Sequence, residues 1–246
     1  MVNSVNKKKI LLCTEGEKTE KRILEHLFQI YGLDTTFAII PYKANVYQLY
    51  KQMFEGNQSD SLDLIQVLKE RETDEDNIAL LNDKYTDIFL VFDFDPQDHS
   101  YCSEHLSQMM QYFNESTDNG KLYLNYPMSE SYYHMPTIPD PAYMNKTVSL
   151  QVLREHGYKG LVHAETVKHS YDCFAINKEQ CNIVIKDNQT KAWKIVQQEI
   201  GDMPFPKQED ILSVQVQSLS NEEKVHVLST MVSFILEYDS RLIENE

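Results

Sequence analysis

Apolar positions along this chain follow two rhythms. Short unbroken runs, Ile10-Leu11-Leu12-Cys13, Phe37-Ala38-Ile39-Ile40 and Ile88-Phe89-Leu90-Val91-Phe92, have the length of buried strands. Between them, residues 18–31 place Ile23, Leu27, Ile30 and Tyr31 at helical spacing, with Leu24 and Phe28 widening the stripe and Gly32 ending it. Residues 46–54 repeat the pattern with Val46, Leu49, Tyr50 and Met53 on one side. This β-α-β-α succession predicts a parallel sheet covered by helices. The run over 87–95 is apolar between polar flanks, which suits a strand buried on both faces, and Pro96 stops it. Residues 103–113 then form a helix with Leu106, Met109, Met110 and Phe113 inward. Asn119-Gly120 is a turn, and Leu122-Tyr123-Leu124 is a fourth strand.

Past that strand, residues 125–134 pass through a proline turn into a short helix beginning near Ser129, and the prolines over 136–141 mark a boundary. The remainder reads as helix-rich. Helices are predicted over 148–156, 161–168 and 190–200, with a long final one over 222–243 carrying Val225, Leu228, Val232, Ile235 and Leu236. Ser220 and Glu223 suggest a capping box for that last helix, while 181–185 and 211–216 suit strand or helix alike. Residues 55–87 hold ten acids against three bases, with helices expected over 62–69 and 77–81. They read as an insertion between the second and third strands, or as part of a longer crossover. The predicted architecture is an α/β Rossmannoid core over 1–135, with a mainly parallel sheet of about four strands. A helix-rich region over 136–246 packs on it.

Hydrophobic residues at 41% and charged residues at 25% describe a chain that folds. Cys13, Cys102, Cys173 and Cys181 show no close pairing, the first residues lack an apolar leader, and no run of about 18 apolar residues occurs. The expectation is a cytoplasmic protein with reduced thiols and no membrane span. A net charge of −15, from 23 basic and 38 acidic residues, argues against passive wrapping of nucleic acid. A polynucleotide would need a confined basic strip, a bound metal or a partner protein. Residues 1–22 offer such a strip, with Lys7, Lys8, Lys9, Lys18, Lys21 and Arg22 against Glu15, Glu17 and Glu20, and they equally suit a solvated lead-in.

The candidate chemistry lies at strand ends. Thr14-Glu15-Gly16-Glu17-Lys18-Thr19-Glu20 follows the first apolar run, and Asp93-Phe94-Asp95 ends the third. Ligands of open α/β sheets bind beyond the carboxyl ends of the strands, so these acids can share a site. Side chains at i and i+2 of a strand point the same way, which would present Asp93 and Asp95 on one face to a hard cation such as Mg2+ or Mn2+. Glu15 is the further ligand or a proton acceptor. The plainer reading is that acids commonly end strands, and that Glu15 and Glu17 complement a helix dipole. Lys18, at the start of the first helix, is placed to steady a phosphate or simply to face solvent. His99 and His134 follow Asp95 and Glu130 by four residues and suit either a proton donor or a surface imidazole. Tyr126, Tyr132 and Tyr133 suit packing. His163, His169, Cys173 and Cys181 lack the close cysteine pair of a zinc site.

Glu15-Gly16-Glu17-Lys18-Thr19-Glu20 after a strand, Asp93-x-Asp95, and Asn125-x-Pro127-x-x-Glu130 together resemble the Toprim-like proteins of the RloB and abortive-infection group, related in fold to the nuclease domain of overcoming-lysogenization-defect proteins. The resemblance covers roughly residues 8–135. It implies a metal-dependent nuclease of antiphage defence acting on DNA or RNA, with Glu15, Asp93 and Asp95 as magnesium and acid/base residues and Glu130 as a fourth ligand. It also implies that a partner ATPase can hold such a nuclease inactive. Two departures, Ser129 where the family has an aromatic and the long acidic insertion, bear on the substrate. The alternative is a non-catalytic sensor or regulatory subunit that keeps the fold and binds a partner through its helical region. The long final helix would serve a homo-oligomer or its own core.

Overall fold

Ile10–Thr14 (β1), buried along its whole length, is hydrogen-bonded in parallel to two strands at once, as uninterrupted apolar runs in α/β sheets are. On one side lies Phe37–Pro41 (β2), in register Ile10 to Phe37, and on the other Asp87–Asp93 (β3), in register Ile10 to Asp87. The computed structural model describes residues 9–33, 37–55, 63–155, 157–166, 171–197 and 203–244. Thr19–Tyr31 (α1) crosses between β1 and β2 and buries Ile23, Leu24, Leu27, Phe28 and Tyr31, and Gly32 ends it in the left-handed region at φ 68°. The crossover from β2 to β3 holds Val46–Tyr50 (α2), a π-helical turn Lys51–Glu55, Leu64–Arg71 (α3) and Glu75–Leu81 (α4). Among its described residues the acidic interval forms two short capped helices: Asp63 caps α3 and Asp74 caps α4, and Leu64, Val67, Leu68 and Leu81 are buried.

Ser103–Tyr112 (α5) leads to a two-residue edge strand, Asn114–Glu115 (β4), antiparallel to Gly120–Asn125 (β5), which pairs in parallel with β3. The sheet is therefore five-stranded and mostly parallel, in the order β2-β1-β3-β5-β4. The fourth predicted strand is there, and the additional edge strand is too short to leave a periodic signal. Helices flank the sheet, consistent with a Rossmannoid core. On one face Phe28, Phe37 and Phe89 gather around Phe234, while α2 meets α5 through Tyr50 stacked on His105 at 3.9 Å.

After a 3-10 turn, Ser129–Tyr133, and another at Tyr143–Asn145, the chain forms Thr147–Ser149 (β6), Leu150–Glu155 (α6), Tyr158–Thr166 (α7), Lys178–Ile195 (α8) and Gln208–Glu222 (α9). Lys224–His226 (β7) pairs antiparallel with β6, and Ser233–Asp239 (α10) and Arg241–Glu244 (α11) come last. The single helix predicted over 222–243 is not formed; only its last part is helical, as α10 and α11. Glu223 stops α9 in the left-handed region at φ 53° instead of beginning a helix, and every residue from Val227 to Ile235 is buried. Leu228 pairs with Tyr126, and the Thr230 hydroxyl donates to the Leu124 carbonyl at 2.8 Å, so this segment lies against the end of β5. The helix predicted over 190–200 begins much earlier, at Lys178, and the segments over 181–185 and 211–216 are helical.

Candidate metal centre

β1 and β3 end side by side, Thr14 opposite Val91, so the residues just beyond the two strands are neighbours. Glu15 continues the ladder: its N–H donates to the Val91 carbonyl at 2.9 Å and its carbonyl accepts from Lys43 at 3.0 Å. Its side chain reaches across β3, where Oε2 accepts the backbone N–H of Asp93 at 3.0 Å. Beyond Asp93 the chain leaves strand geometry. The N–H of Phe94 donates to Asn125 and that of Asp95 to Pro127, both at 3.0 Å, and Asp95 sits in the left-handed region at φ 40°. The Phe94 carbonyl accepts the Tyr47 hydroxyl at 2.5 Å. Asp95 therefore joins Asp93 through a turn and not through strand alternation, which corrects the i, i+2 expectation. A non-glycine residue held in that region costs roughly 1 kcal/mol, and aspartate tolerates it better than most.

Ligand oxygens of Glu15, Asp93 and Asp95 lie within 4.8 Å of one another, the one such group of three or more potential metal ligands among the described residues. Asp93 is buried, and its Oδ1 has no hydrogen-bond partner. Glu130, on the 3-10 turn after β5, is 3% exposed and stands outside this triad. Its Oε1 lies 3.3 Å from Nζ of Lys159 on α7, and its Oε2 is buried without a partner.

Two residues complete the cluster. Glu20, in the first turn of α1, is 5% exposed and lies against Gly16, where a Cβ would meet its Oε2 at 3.0 Å. It falls on the stripe of Ile23, Leu24 and Leu27, and a carboxylate on the apolar face of a helix is a signal the sequence contained. Lys159 carried no such signal, because it is brought in by α7 from outside the sheet.

Crowding sets the electrostatics. Burial, with the charges of Asp95 and Glu20, pushes the Glu15 carboxyl up to about 8 against the help of the Asp93 N–H and Lys159. Burial, with Asp98 and Glu130, raises Asp95 to about 6. Asp93 is held well above the carboxylate range by burial and by Glu15, Glu20, Asp95 and Glu130, and Glu20 is raised chiefly by burial. Burial works against the Lys159 ammonium, but Glu130, Asp93 and Glu20 outweigh it and raise its pKa. Five acids thus surround a single ammonium, and a divalent cation would relieve the repulsion.

An open cleft of about 670 Å³ runs over these groups, edged by Lys18, Lys43 and Lys159. Lys43 is engaged by Glu17 and Glu72, each at 3.3 Å, whereas exposed Lys18 makes no ion pair among the described residues. His99 is exposed beside Asp98 and is not part of the triad. His134 is buried: Nδ1 lies 2.8 Å from the Tyr158 hydroxyl and Nε2 2.7 Å from Oε2 of Glu165. Tyr126 and Tyr132 are core residues, while Tyr133 is half-buried. Lys7, Lys8 and His169 lie outside the described residues, and His163, Cys173 and Cys181 form no metal-holding group. Among the described residues no helix is long and apolar enough to cross a membrane. No protein-family model, curated protein or solved structure matches the chain.

Proposed function

We propose that this protein is a Toprim-like, Mg2+- or Mn2+-dependent nuclease that hydrolyses phosphodiester bonds of nucleic acid. The observation that carries the proposal is the convergence of Glu15, Asp93 and Asp95 to within 4.8 Å at the carboxyl ends of two adjacent parallel strands. The donor set fits a hard cation: it is all oxygen, and two of its neighbourhood's oxygens, Asp93 Oδ1 and Glu130 Oε2, are buried without partners. These two oxygens can only accept when ionised, and beside three more carboxylates a bound cation would satisfy them, each otherwise left at a cost of about 1–3 kcal/mol. That favours the catalytic reading over a purely regulatory one. A role in antiphage defence, and a partner ATPase, rest on the resemblance of the acidic motifs to the RloB and abortive-infection group.

Asp93, Asp95 and Glu15 would hold the cation, with Glu130 and Glu20 behind them. When bound, the cation supplies Lewis acidity toward a phosphoryl oxygen and lowers the pKa of an attacking water. Where Asp93 and Asp95 alone hold the cation, Glu15 would instead be placed to accept the proton of that water. Lys159 offers an ammonium to the charge that develops on the phosphoryl oxygens. Incubation of the full chain with DNA and RNA and either metal tests the reading. Cleavage should require metal and vanish in Asp93→Ala and Glu15→Ala; cleavage that survives both removes these residues from the chemistry.

A further inference from the structure

Most cations around the cleft have carboxylate partners, but Lys18, the residue just before α1, and Arg22 in its first turn do not. Lys18 and Arg22 are one helical turn apart, joined by the Arg22 N–H to the Lys18 carbonyl at 3.0 Å, and both are exposed. Among the described residues no acid lies within 4.0 Å of either cation, in a chain with 38 acids against 23 bases. Lys21 and Lys43, nearby in sequence or space, are paired with Glu25 and with Glu17 and Glu72. Arg22 is nevertheless held in place. Its guanidinium carbon lies 3.8 Å from the ring centre of Phe174, and Phe174 in turn leans on Tyr133, with centroids 5.5 Å apart at 59°. Tyr133 belongs to the 3-10 turn that carries Glu130, and its hydroxyl feels the charges of Glu130, Glu20 and Asp93. The aromatic support of Arg22 therefore ends at the carboxylate cluster.

We infer that Lys18, Arg22, Phe174 and Tyr133 form a binding subsite for single-stranded nucleic acid, receiving the strand on one side of the metal centre. An exposed guanidinium centred 3.8 Å over an aromatic ring can offer its solvent side to a nucleobase and its N–H groups to a phosphate, and Lys18 adds a second phosphate contact one turn closer to the cleft. Stacking on a guanidinium needs an unpaired base, so the geometry selects a single strand over a duplex. A strip of two cations also explains how so acidic a protein takes a polyanion: attraction is confined to one helix face beside a site that a cation neutralises. The inference rests on the nuclease reading for the identity of the cleft, but it is tested by binding.

Fluorescence anisotropy with labelled oligothymidylate, oligouridylate and a duplex of matching length, with Ca2+ in place of Mg2+, reads the subsite directly. Single strands should bind more tightly than the duplex. Arg22→Glu should weaken them about tenfold or more, while Arg22→Lys, which keeps the charge and loses the plane, and Phe174→Leu should each weaken them severalfold. The dependence on salt should fall by about one unit of slope in Arg22→Glu. Where strands are cleaved, the loss should appear in KM more than in kcat. Single-strand binding unchanged in Arg22→Glu, or tighter binding of the duplex, overturns the inference even if metal-dependent cleavage is present. Arg22-dependent binding without any cleavage supports the subsite and counts against the nuclease reading instead. A difference between the two single strands assigns DNA or RNA.

Discussion

The backbone N–H of Asp93 donates to Oε2 of Glu15 at 3.0 Å, tying together two residues 78 positions apart at the ends of neighbouring strands. This bond fixes one carboxylate oxygen of Glu15 and leaves the other for a ligand. Glu15→Gln keeps an acceptor for that N–H and removes the charge, so the fold should persist. Metal affinity measured by titration calorimetry should drop by about tenfold or more, and cleavage by about a hundredfold or more. Asp93→Asn should act in the same direction. Metal affinity equal to wild type in both variants excludes the triad as the binding site.

Acidity and metal should compete at this cluster. Glu15, raised from 4.5 to about 8, and Asp95, raised from 3.8 to about 6, hold protons in the folded protein that the unfolded chain has already lost. In that window the folded state binds more protons, so these groups make metal-free stability fall as pH rises from roughly 4 to 8. A cation needs the deprotonated forms, so its stabilising effect should grow over the same range. Thermal midpoints at about pH 6 and about pH 8 check this. The increment from Mg2+ should be larger at the higher pH, and Glu15→Gln should shrink the difference.

Lys159 and Glu130 form an asymmetric pair: the lysine side chain is 64% exposed and the glutamate side chain 4%. Removing the lysine leaves a buried carboxylate with no countercharge, whereas removing the carboxylate frees an ammonium into water. Lys159→Ala should therefore destabilise the metal-free protein by about 1–3 kcal/mol at neutral pH, and Glu130→Gln in the same chain should recover most of it. Denaturant unfolding of the two single variants and the double variant measures the coupling. Lys159→Ala should also slow cleavage in saturating metal, a loss that restoring stability with Glu130→Gln does not repair.

The central strands were legible because parallel strands buried on both faces must be uniformly apolar, and the meeting of Glu15 with Asp93 and Asp95 is the consequence of β1 and β3 being adjacent. The carboxy-terminal half was harder to read for a physical reason. α8 buries Asn182, Asn188 and Lys191, so polar residues interrupt its stripe. Asn188 accepts from the Tyr143 hydroxyl at 2.5 Å and from Ser229 N–H at 2.7 Å, and Lys191 donates to the carbonyls of Tyr143 and Lys146 at 2.8 Å. Its start was nonetheless written in Asn177 and Gln180, which form a capping box. The final segment failed differently. Residues buried on every side carry no helical period of their own, and Val225, Leu228 and Val232 fall in step with the true helical residues Ile235 and Leu236 although their stretch is first a strand and then a buried turn.

His134 links the turn bearing Glu130 to both ends of α7. A carboxylate only accepts, so Nε2 donates to Glu165 and the neutral ring's Nδ1 accepts from the Tyr158 hydroxyl, the residue next to Lys159. Burial, with the neighbouring Lys146 charge, lowers this imidazole from 6.5 to about 4 against the pull of Glu165. Between those values the unfolded chain takes up a proton that the folded protein refuses, so stability should fall as pH drops from about 6.5 toward 4. His134→Gln cannot titrate and should flatten that limb of the stability curve, while costing about 1–3 kcal/mol at pH 7 through imperfect replacement of two buried hydrogen bonds. Because α7 carries Lys159, the same variant should also reduce the coupling between Lys159 and Glu130 measured by the double-variant cycle. An unchanged acid limb in His134→Gln would show that other groups govern it, and an unchanged coupling would show that α7 holds Lys159 in place without this imidazole.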